Sequence, residues 1–237
     1  MTKYSKEVTV DKLRKELKEL SAIEKLYKAQ CINWTGTTTG SNEQYSEIIA
    51  EELFLNHLTE LKNILSVPRN NSYYRENHCN IEIDICKSNR DEENFAKRIT
   101  GLKLETLGLI KDYQIPLKDT RANEGIGKID LISYKDKYLF LIELKYTDNP
   151  DTLLRAILEI YTYSKIVDKN KLIKDFLDSV NPDEIKIIPS ILLAPSCNSY
   201  DELKEMEDGK RPHLKKLSLE LGISFFTMEF IVNEIHL

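Results

Sequence analysis

Two apolar segments of strand length, separated by a short polar turn, constrain this chain more than any other feature. The segments cover residues 129–133 and 138–144, and the polar stretch between them has the length of a tight hairpin turn. A two-residue turn at the centre of that stretch places Asp130 directly opposite Glu143. Side chains alternate along a strand, so Lys145 lies on the same face as Glu143. The sequence therefore predicts two carboxylates and a lysine on one small patch of a β-sheet.

The residues around this patch favour a functional site over an exposed cluster of ion pairs. The second segment is apolar on both faces until Glu143 and Lys145 end it, which is typical of a central strand covered on both sides. Opposed carboxylates repel each other, and a buried carboxylate without a partner costs several kcal/mol. A divalent cation held by hard oxygen ligands is the simplest compensation. The alternative is a salt bridge of Asp130, Glu143 and Lys145 at a strand end.

Asp130, followed by Glu143-Leu144-Lys145, resembles the signature of the PD-(D/E)XK nuclease superfamily, whose fold is that of the type II restriction endonucleases. The core of that family runs helix, three-strand meander, helix, strand, and the sequence predicts elements in the same order. The predicted elements are a helix over 91–107, a strand over 113–117, the two hairpin strands, a helix over 150–167 and a strand over 185–193. The resemblance covers about residues 88–195 and does not extend to the N-terminal third.

The predicted fold class is α/β, with a restriction-endonuclease-like core preceded by an N-terminal helical region. We place the boundary between residues 1–80 and residues 81–237. In the first region, residues 10–27 carry an apolar stripe at helical spacing, and a longer helix is predicted over 42–65. The stripe is expected to pack on the parent core. The alternative is a seam between two copies of the chain in a homodimer.

The family often carries a glutamate on its first helix that faces the metal site, and Glu92 is the matching residue here. Apolar residues of the predicted helix follow Glu92 at offsets of three, four and seven, so they share its face. Glu93 is rotated about a quarter-turn away from that face. The alternative role for Glu92 is a capping box with Asn89 at the N-cap.

The family also often shows a glutamine and a tyrosine four residues apart on its second helix. This chain has Glu159 and Tyr163 at that spacing, with Arg155 one turn earlier. The replacement of glutamine by glutamate departs from the family pattern. Arg155 and Glu159 would then form an ordinary ion pair along the helix, which is the alternative to a role in nucleic-acid binding.

The resemblance implies a divalent-metal-dependent nuclease that hydrolyses phosphodiester bonds, with a DNA endonuclease favoured. It implies that Asp130, Glu143 and the carbonyl of Leu144 ligate Mg²⁺, for which Mn²⁺ would substitute. Glu92 would hold a second metal ion or an outer water. Lys145 would orient the attacking water and offset the charge that develops on the phosphate. The alternatives are a ribonuclease and a catalytically silent nucleic-acid-binding or scaffolding relative.

Composition and charge agree with a folded cytoplasmic protein. Among the 237 residues, 41% are hydrophobic and 31% are charged, and no run approaches the ~20 apolar residues of a membrane span. The four cysteines lie far apart without a C-x-x-C pair, which argues against a zinc site or a disulfide framework. The net charge of -5 is unlike that of most nucleic-acid binders, but a local basic patch suffices for phosphate contacts. Nucleic acid is therefore the expected partner, and no membrane partner is expected.

Overall fold

The computed structural model describes residues 3–74, 91–119, 127–177 and 180–228, which form a mixed α/β fold. The predicted α/β class is therefore confirmed. The predicted boundary at residue 80 and the capping residue Asn89 lie outside the described residues. The chain divides into two compact units, each assembled from three separate segments. The first contains Met1–Ile64, Asp148–Thr162 and Ser196–Ile223, and the second contains Leu65–Thr147, Tyr163–Pro195 and Ser224–Leu237.

Eight α-helices lie in the described part of the chain, with 3₁₀ and π-helical turns beside some of them. They are α1 Lys6–Glu19, α2 Tyr45–Glu52, α3 Leu58–Lys62, α4 Asp91–Ile99, α5 Leu153–Ile166, α6 Lys169–Phe176, α7 Asn198–Glu207 and α8 Pro212–Glu220. The helix predicted over 42–65 corresponds to α2 and α3, which a π-helical turn over Leu53–His57 joins. The helix predicted over 150–167 corresponds to α5.

The first helix is shorter at its C-terminal end than the sequence predicts. α1 begins at Lys6, where the Ser5 side chain accepts the Val8 N–H, and it ends at Glu19. The prediction that it continues to residue 27 is wrong, because Leu20 leaves the helix with extended backbone angles. The following residues form two 3₁₀ helices and still bury apolar side chains, so the apolar stripe outlasts the α-helix.

A six-stranded mixed sheet lies in the second unit, in the spatial order β1-β2-β3-β4-β5-β6. Its strands are β1 Lys103–Leu104, β2 Gly108–Pro116, β3 Lys128–Lys135, β4 Tyr138–Lys145, β5 Lys186–Leu193 and β6 Ser224–Thr227. Strands β1 to β4 pair antiparallel, and β5 and β6 extend the sheet in parallel with β4. The strand predicted over 185–193 is β5. β4 is an interior strand, as its apolar run predicts.

The helix predicted over 91–107 ends early, and this changes the start of the meander. α4 stops at Ile99, and Gly101 reverses the chain at a φ of +86°, a conformation that favours glycine. The N–H of Gly101 donates to the Ile110 carbonyl, and the N–H of Ile110 donates to the Leu102 carbonyl, both at 2.9 Å. β2 therefore begins at Gly108 and not at residue 113 as predicted.

One face of the sheet packs against α4 and forms a core of the second unit. Ile142 and Leu144 of β4 point to this face and are at most 1% exposed. Side chains alternate along a strand, so Glu143 and Lys145 point to the opposite face. The buried members of this core are Ala96, Ile99, Leu104, Leu107, Ile110, Tyr113, Leu131, Ile142, Leu144, Leu192, Ala194 and Met228.

Candidate active site

The β3–β4 hairpin has the register that the sequence predicts. Lys135 pairs with Tyr138 across a two-residue turn, and Leu131 pairs with Ile142 at the far end of the ladder. Asp136, the first turn residue, has a φ of +56°, which aspartate tolerates better than most residues. The predicted hairpin is therefore confirmed. The residues that follow this ladder on its two strands are the two acids of the motif.

The side chain of Asp130 adds one hydrogen bond between the strands beyond the last pair of the β3–β4 ladder. Oδ2 of Asp130 accepts a hydrogen bond from the Leu144 N–H at 2.9 Å. A side chain thus occupies the place at which the next backbone bond between the strands would form. The carboxylate is therefore fixed between the ends of β3 and β4, against the backbone of Leu144.

The carbonyl of Leu144 is directed toward the same end of β3. The N–H and C=O groups of one strand residue point to the same side, and successive residues alternate sides. The N–H of Leu144 points to Asp130 on β3. The carbonyl of Lys145 points to the other side, where it accepts a 2.9 Å hydrogen bond from the N–H of Ala194, the residue that follows β5. The Leu144 carbonyl therefore points toward β3 and Asp130.

Glu143 and Lys145 form a buried ion pair at the same end of the hairpin. Nζ of Lys145 lies 2.8 Å from Oε1 of Glu143, and the two residues are 4% and 5% exposed, respectively. Transfer of two charges from water into the protein is unfavourable, and their mutual attraction offsets that cost only with good geometry. The pair places one positive and one negative group on the face that Asp130 also occupies.

Gln114 is a site residue that the motif did not reveal. It lies in β2, where Tyr113 pairs with Leu131, so Gln114 is the cross-strand neighbour of Asp130. Nε2 of Gln114 donates to Oδ1 of Asp130 at 2.8 Å. The available signal was a polar residue inside the apolar segment Tyr113–Leu117, beside the hairpin. Gln114 and the Leu144 amide together hold both oxygens of Asp130.

Glu92 reaches the end of β4 from the side of α4. Oε1 of Glu92 accepts the Tyr146 N–H at 3.1 Å, directly after the motif lysine. Glu93 instead pairs with Lys97, with 2.8 Å between the charged atoms. The two glutamates thus point in different directions, as the sequence predicts from the position of Glu92 on the apolar face of the helix. α4 packs on the sheet face opposite to Glu143, so Glu92 approaches the strand end from that other face.

The tyrosine of the second helix lies against the start of β3. Tyr163 is 1% exposed, and a methyl group added at Gly127 would lie 2.0 Å from its hydroxyl oxygen. The closeness of Tyr163 to the backbone explains why position 127, three residues before Asp130, holds a glycine. Arg155 belongs to the first unit, where its guanidinium pairs with Asp151 at 2.9 Å.

The donor chemistry of the site fits Mg²⁺. Among the residues that the structure describes, no three His, Cys, Asp or Glu side chains are grouped to hold a metal ion. Mg²⁺ keeps several of its waters and is commonly bound through one or two carboxylates. Asp130 and Glu143 supply two carboxylates, and the Leu144 carbonyl would add a third hard oxygen donor without a third acidic side chain.

Comparisons with known proteins leave the site to be interpreted from its own chemistry. No protein-family model, curated protein or solved structure matches this chain. In the described ranges, no helix combines the length and the apolar character needed to cross a membrane.

Proposed function

We propose that this chain is a divalent-metal-dependent nuclease of restriction-endonuclease-like fold that hydrolyses phosphodiester bonds, with DNA favoured over RNA. Asp130, Glu143 and Lys145 share one face at the end of one hairpin, and this convergence carries the proposal. The order of elements supports it: α4, the meander β2 to β4, α5 and then β5 follow the order of that family's core, with β1 inserted before the meander and α6 before β5.

Each residue of the site has a distinct role in the proposed reaction. Asp130, Glu143 and the Leu144 carbonyl would hold Mg²⁺, with Mn²⁺ as a substitute. The bound ion would supply Lewis acidity and lower the pKa of a coordinated water. Lys145 adds no metal oxygen, so its ammonium group orients the attacking water and offsets the charge that develops on the phosphate. Glu92, held at the Tyr146 N–H, would bind an outer water or a second ion.

A cleavage assay with matched variants tests this function. Supercoiled plasmid, linear duplex DNA and single-stranded RNA are incubated with the protein and Mg²⁺, Mn²⁺ or EDTA. We expect cleavage of DNA with either metal and none with EDTA. Asp130→Asn should lower the rate by more than the ~10–100-fold that loss of an outer partner of a metal ligand costs.

Asp136→Asn is the matched control for this change. Asp136 undergoes the same chemical substitution in the same hairpin, but it is exposed, and its positive φ suits asparagine. Its rate should equal that of the wild type. Wild-type protein that cleaves none of the three substrates with either metal would contradict the proposal, and so would an Asp130→Asn variant of full activity.

A further inference from the structure

We propose that Gln114 is a positioning residue, which holds Asp130 in the orientation that binds a divalent cation. The inference rests on the proposed function, because it concerns the same metal site. Gln114 lies on β2, outside the acid and lysine motif, and reaches Asp130 across the β2–β3 pairing. Its role would be exerted through Asp130 and not by contact with the cation.

The two oxygens of Asp130 are oriented by two separate donors. Gln114 Nε2 lies 2.8 Å from Oδ1, and the Leu144 nitrogen lies 2.9 Å from Oδ2. An ionised carboxylate only accepts hydrogen bonds, so the glutamine must present its NH₂ group and not its carbonyl. These two hydrogen bonds to different oxygens fix the plane of the Asp130 carboxylate.

The backbone of Gln114 is unusual for a strand residue. Its φ is +49°, in the left-handed region where a side chain costs free energy that glycine avoids. Within the described residues, it is the one non-glycine strand residue with a positive φ. The others, which lie in turns or loops, are Asn42, Asp136, Asp148 and Ser196. The backbone of Gln114 is strained and its side chain holds a candidate metal ligand. This combination indicates a function for that side chain.

The competing interpretation is that the glutamine only stabilises the sheet. A purely structural contact predicts that its removal lowers the melting temperature and leaves metal affinity unchanged. A positioning role predicts that removal of the glutamine weakens metal binding, because an outer partner of a metal ligand affects the metal affinity. It also predicts that the melting temperature of a glycine variant does not fall, because glycine relieves the backbone strain. Metal affinity measured without nucleic acid separates these two roles and needs no catalysis.

Two substitutions and a matched control make the test. Gln114→Asn keeps an amide and tolerates the positive φ, but it is shorter by about 1.5 Å and cannot reach Asp130. Gln114→Gly removes the side chain and the strain together. Gln30→Asn makes the same chemical change at an exposed position of the first unit. Mn²⁺ affinity is measured by calorimetry, and the melting temperature is measured without metal.

We expect both Gln114 variants to bind Mn²⁺ about 10- to 100-fold more weakly than the wild type. The melting temperature of Gln114→Gly should be unchanged or higher, and Gln30→Asn should match the wild type in affinity. In the Asp130→Asn background, Gln114→Asn should weaken binding no further, because the two residues act as one unit.

The other outcomes overturn the inference in distinguishable ways. If Asp130→Asn weakens Mn²⁺ binding but both Gln114 variants bind like the wild type, the positioning role is wrong and the proposed nuclease stands. If both Gln114 variants lose cooperative unfolding, the residue is structural and the inference also fails. If the wild type binds no Mn²⁺, the inference and the proposed function fail together.

Discussion

Lys145 and Glu143 form an ion pair of 2.8 Å that is almost fully removed from solvent. Removal of either charge leaves the other one buried without this ion pair. Removal of one partner of such a pair typically costs about 3–5 kcal/mol, whereas replacement of both by neutral groups of similar size is often close to neutral. A mutation in this pair therefore changes both chemistry and stability, and the two effects must be measured separately.

Lys145→Met is expected to abolish cleavage and to destabilise the protein by about 3–5 kcal/mol, because Glu143 stays buried without this ion pair. Loss of the ammonium group should lower the cleavage rate by about 10²-fold or more, since it removes the group that offsets charge on the phosphate. Adding Glu143→Gln should restore most of the stability and none of the activity. Chemical denaturation and the plasmid assay measure these two quantities.

Lys137→Met is the control for that experiment. Lys137 is an exposed lysine of the same hairpin, and it pairs with Glu184 at 3.4 Å. Its loss should leave the cleavage rate unchanged. It should change the free energy of unfolding by no more than about 1 kcal/mol. A double variant at positions 143 and 145 that cleaves at the wild-type rate would disprove the assigned role of Lys145.

Glu92→Gln is expected to reduce cleavage by about tenfold or more with little loss of stability. The glutamine keeps a side-chain oxygen that accepts the Tyr146 N–H, but it removes the negative charge beside the motif. Glu93→Gln breaks an ion pair with Lys97 and should leave cleavage unchanged. Cleavage rates and melting temperatures of both variants check this. Greater sensitivity at position 93 would show that the two glutamates have the reverse roles.

Gly127→Ala is expected to destabilise the protein by about 1–3 kcal/mol, as overpacking does in a well-packed interior. The added methyl group would lie 2.0 Å from the hydroxyl oxygen of Tyr163 and 3.0 Å from its Cζ atom. Tyr163→Phe removes the nearer atom, so the same glycine substitution should cost less in that background. The four free energies of unfolding form a double-mutant cycle. Additive effects would show that the two residues do not interact.

Glu202 is expected to titrate above its ordinary pKa of 4.5, because its burial raises the pKa more than the Arg211 guanidinium lowers it. The protonated carboxyl is then favoured by folding. The stability linked to this group is fully present below pH 4.5 and is lost as pH rises through the folded-state pKa. The melting temperature of Glu202→Gln should therefore rise relative to that of the wild type as pH increases from 4.5 through the folded-state pKa.

Melting curves between about pH 4 and about pH 7, with an NMR titration of the Glu202 carboxyl, measure this effect. Glu207→Gln is the control, because Glu207 lies exposed on the same helix. The melting temperature of that variant relative to wild type should show no comparable trend. A Glu202 carboxyl that titrates at or below 4.5 would contradict the expected direction.

The hairpin and its register followed from the sequence because both depend on local information. The length of the polar turn and the alternation along two short strands decide which residues face each other. Gln114 could not be found in this way. Its contact with Asp130 depends on the register between β2 and β3, which shifts between Ile110 and Asp112. A shift of that kind leaves no local pattern in the sequence.

The early end of α4 shows a second limit of pattern reasoning. Apolar residues continue beyond Ile99, and two of them, Leu104 and Leu107, are buried in the same core as the helix. They reach that core from β1 and the following turn, so burial alone did not distinguish helix from strand. The left-handed backbone at Gly101 is the local signal that ends the helix.

The antiparallel pairing of β2, β3 and β4 also bears on the order in which the protein folds. Along the chain, 11 residues separate β2 from β3 and two separate β3 from β4, whereas β4 and β5 pair in parallel only after the 40-residue crossover between them closes. Closure of a longer loop costs more chain entropy, and contacts between distant residues form more slowly. We therefore expect β2, β3 and β4, which carry Gln114, Asp130 and Glu143, to pair before β5 joins the sheet. On this expectation, the folding nucleus of the sheet and the proposed catalytic centre come from the same stretch of chain.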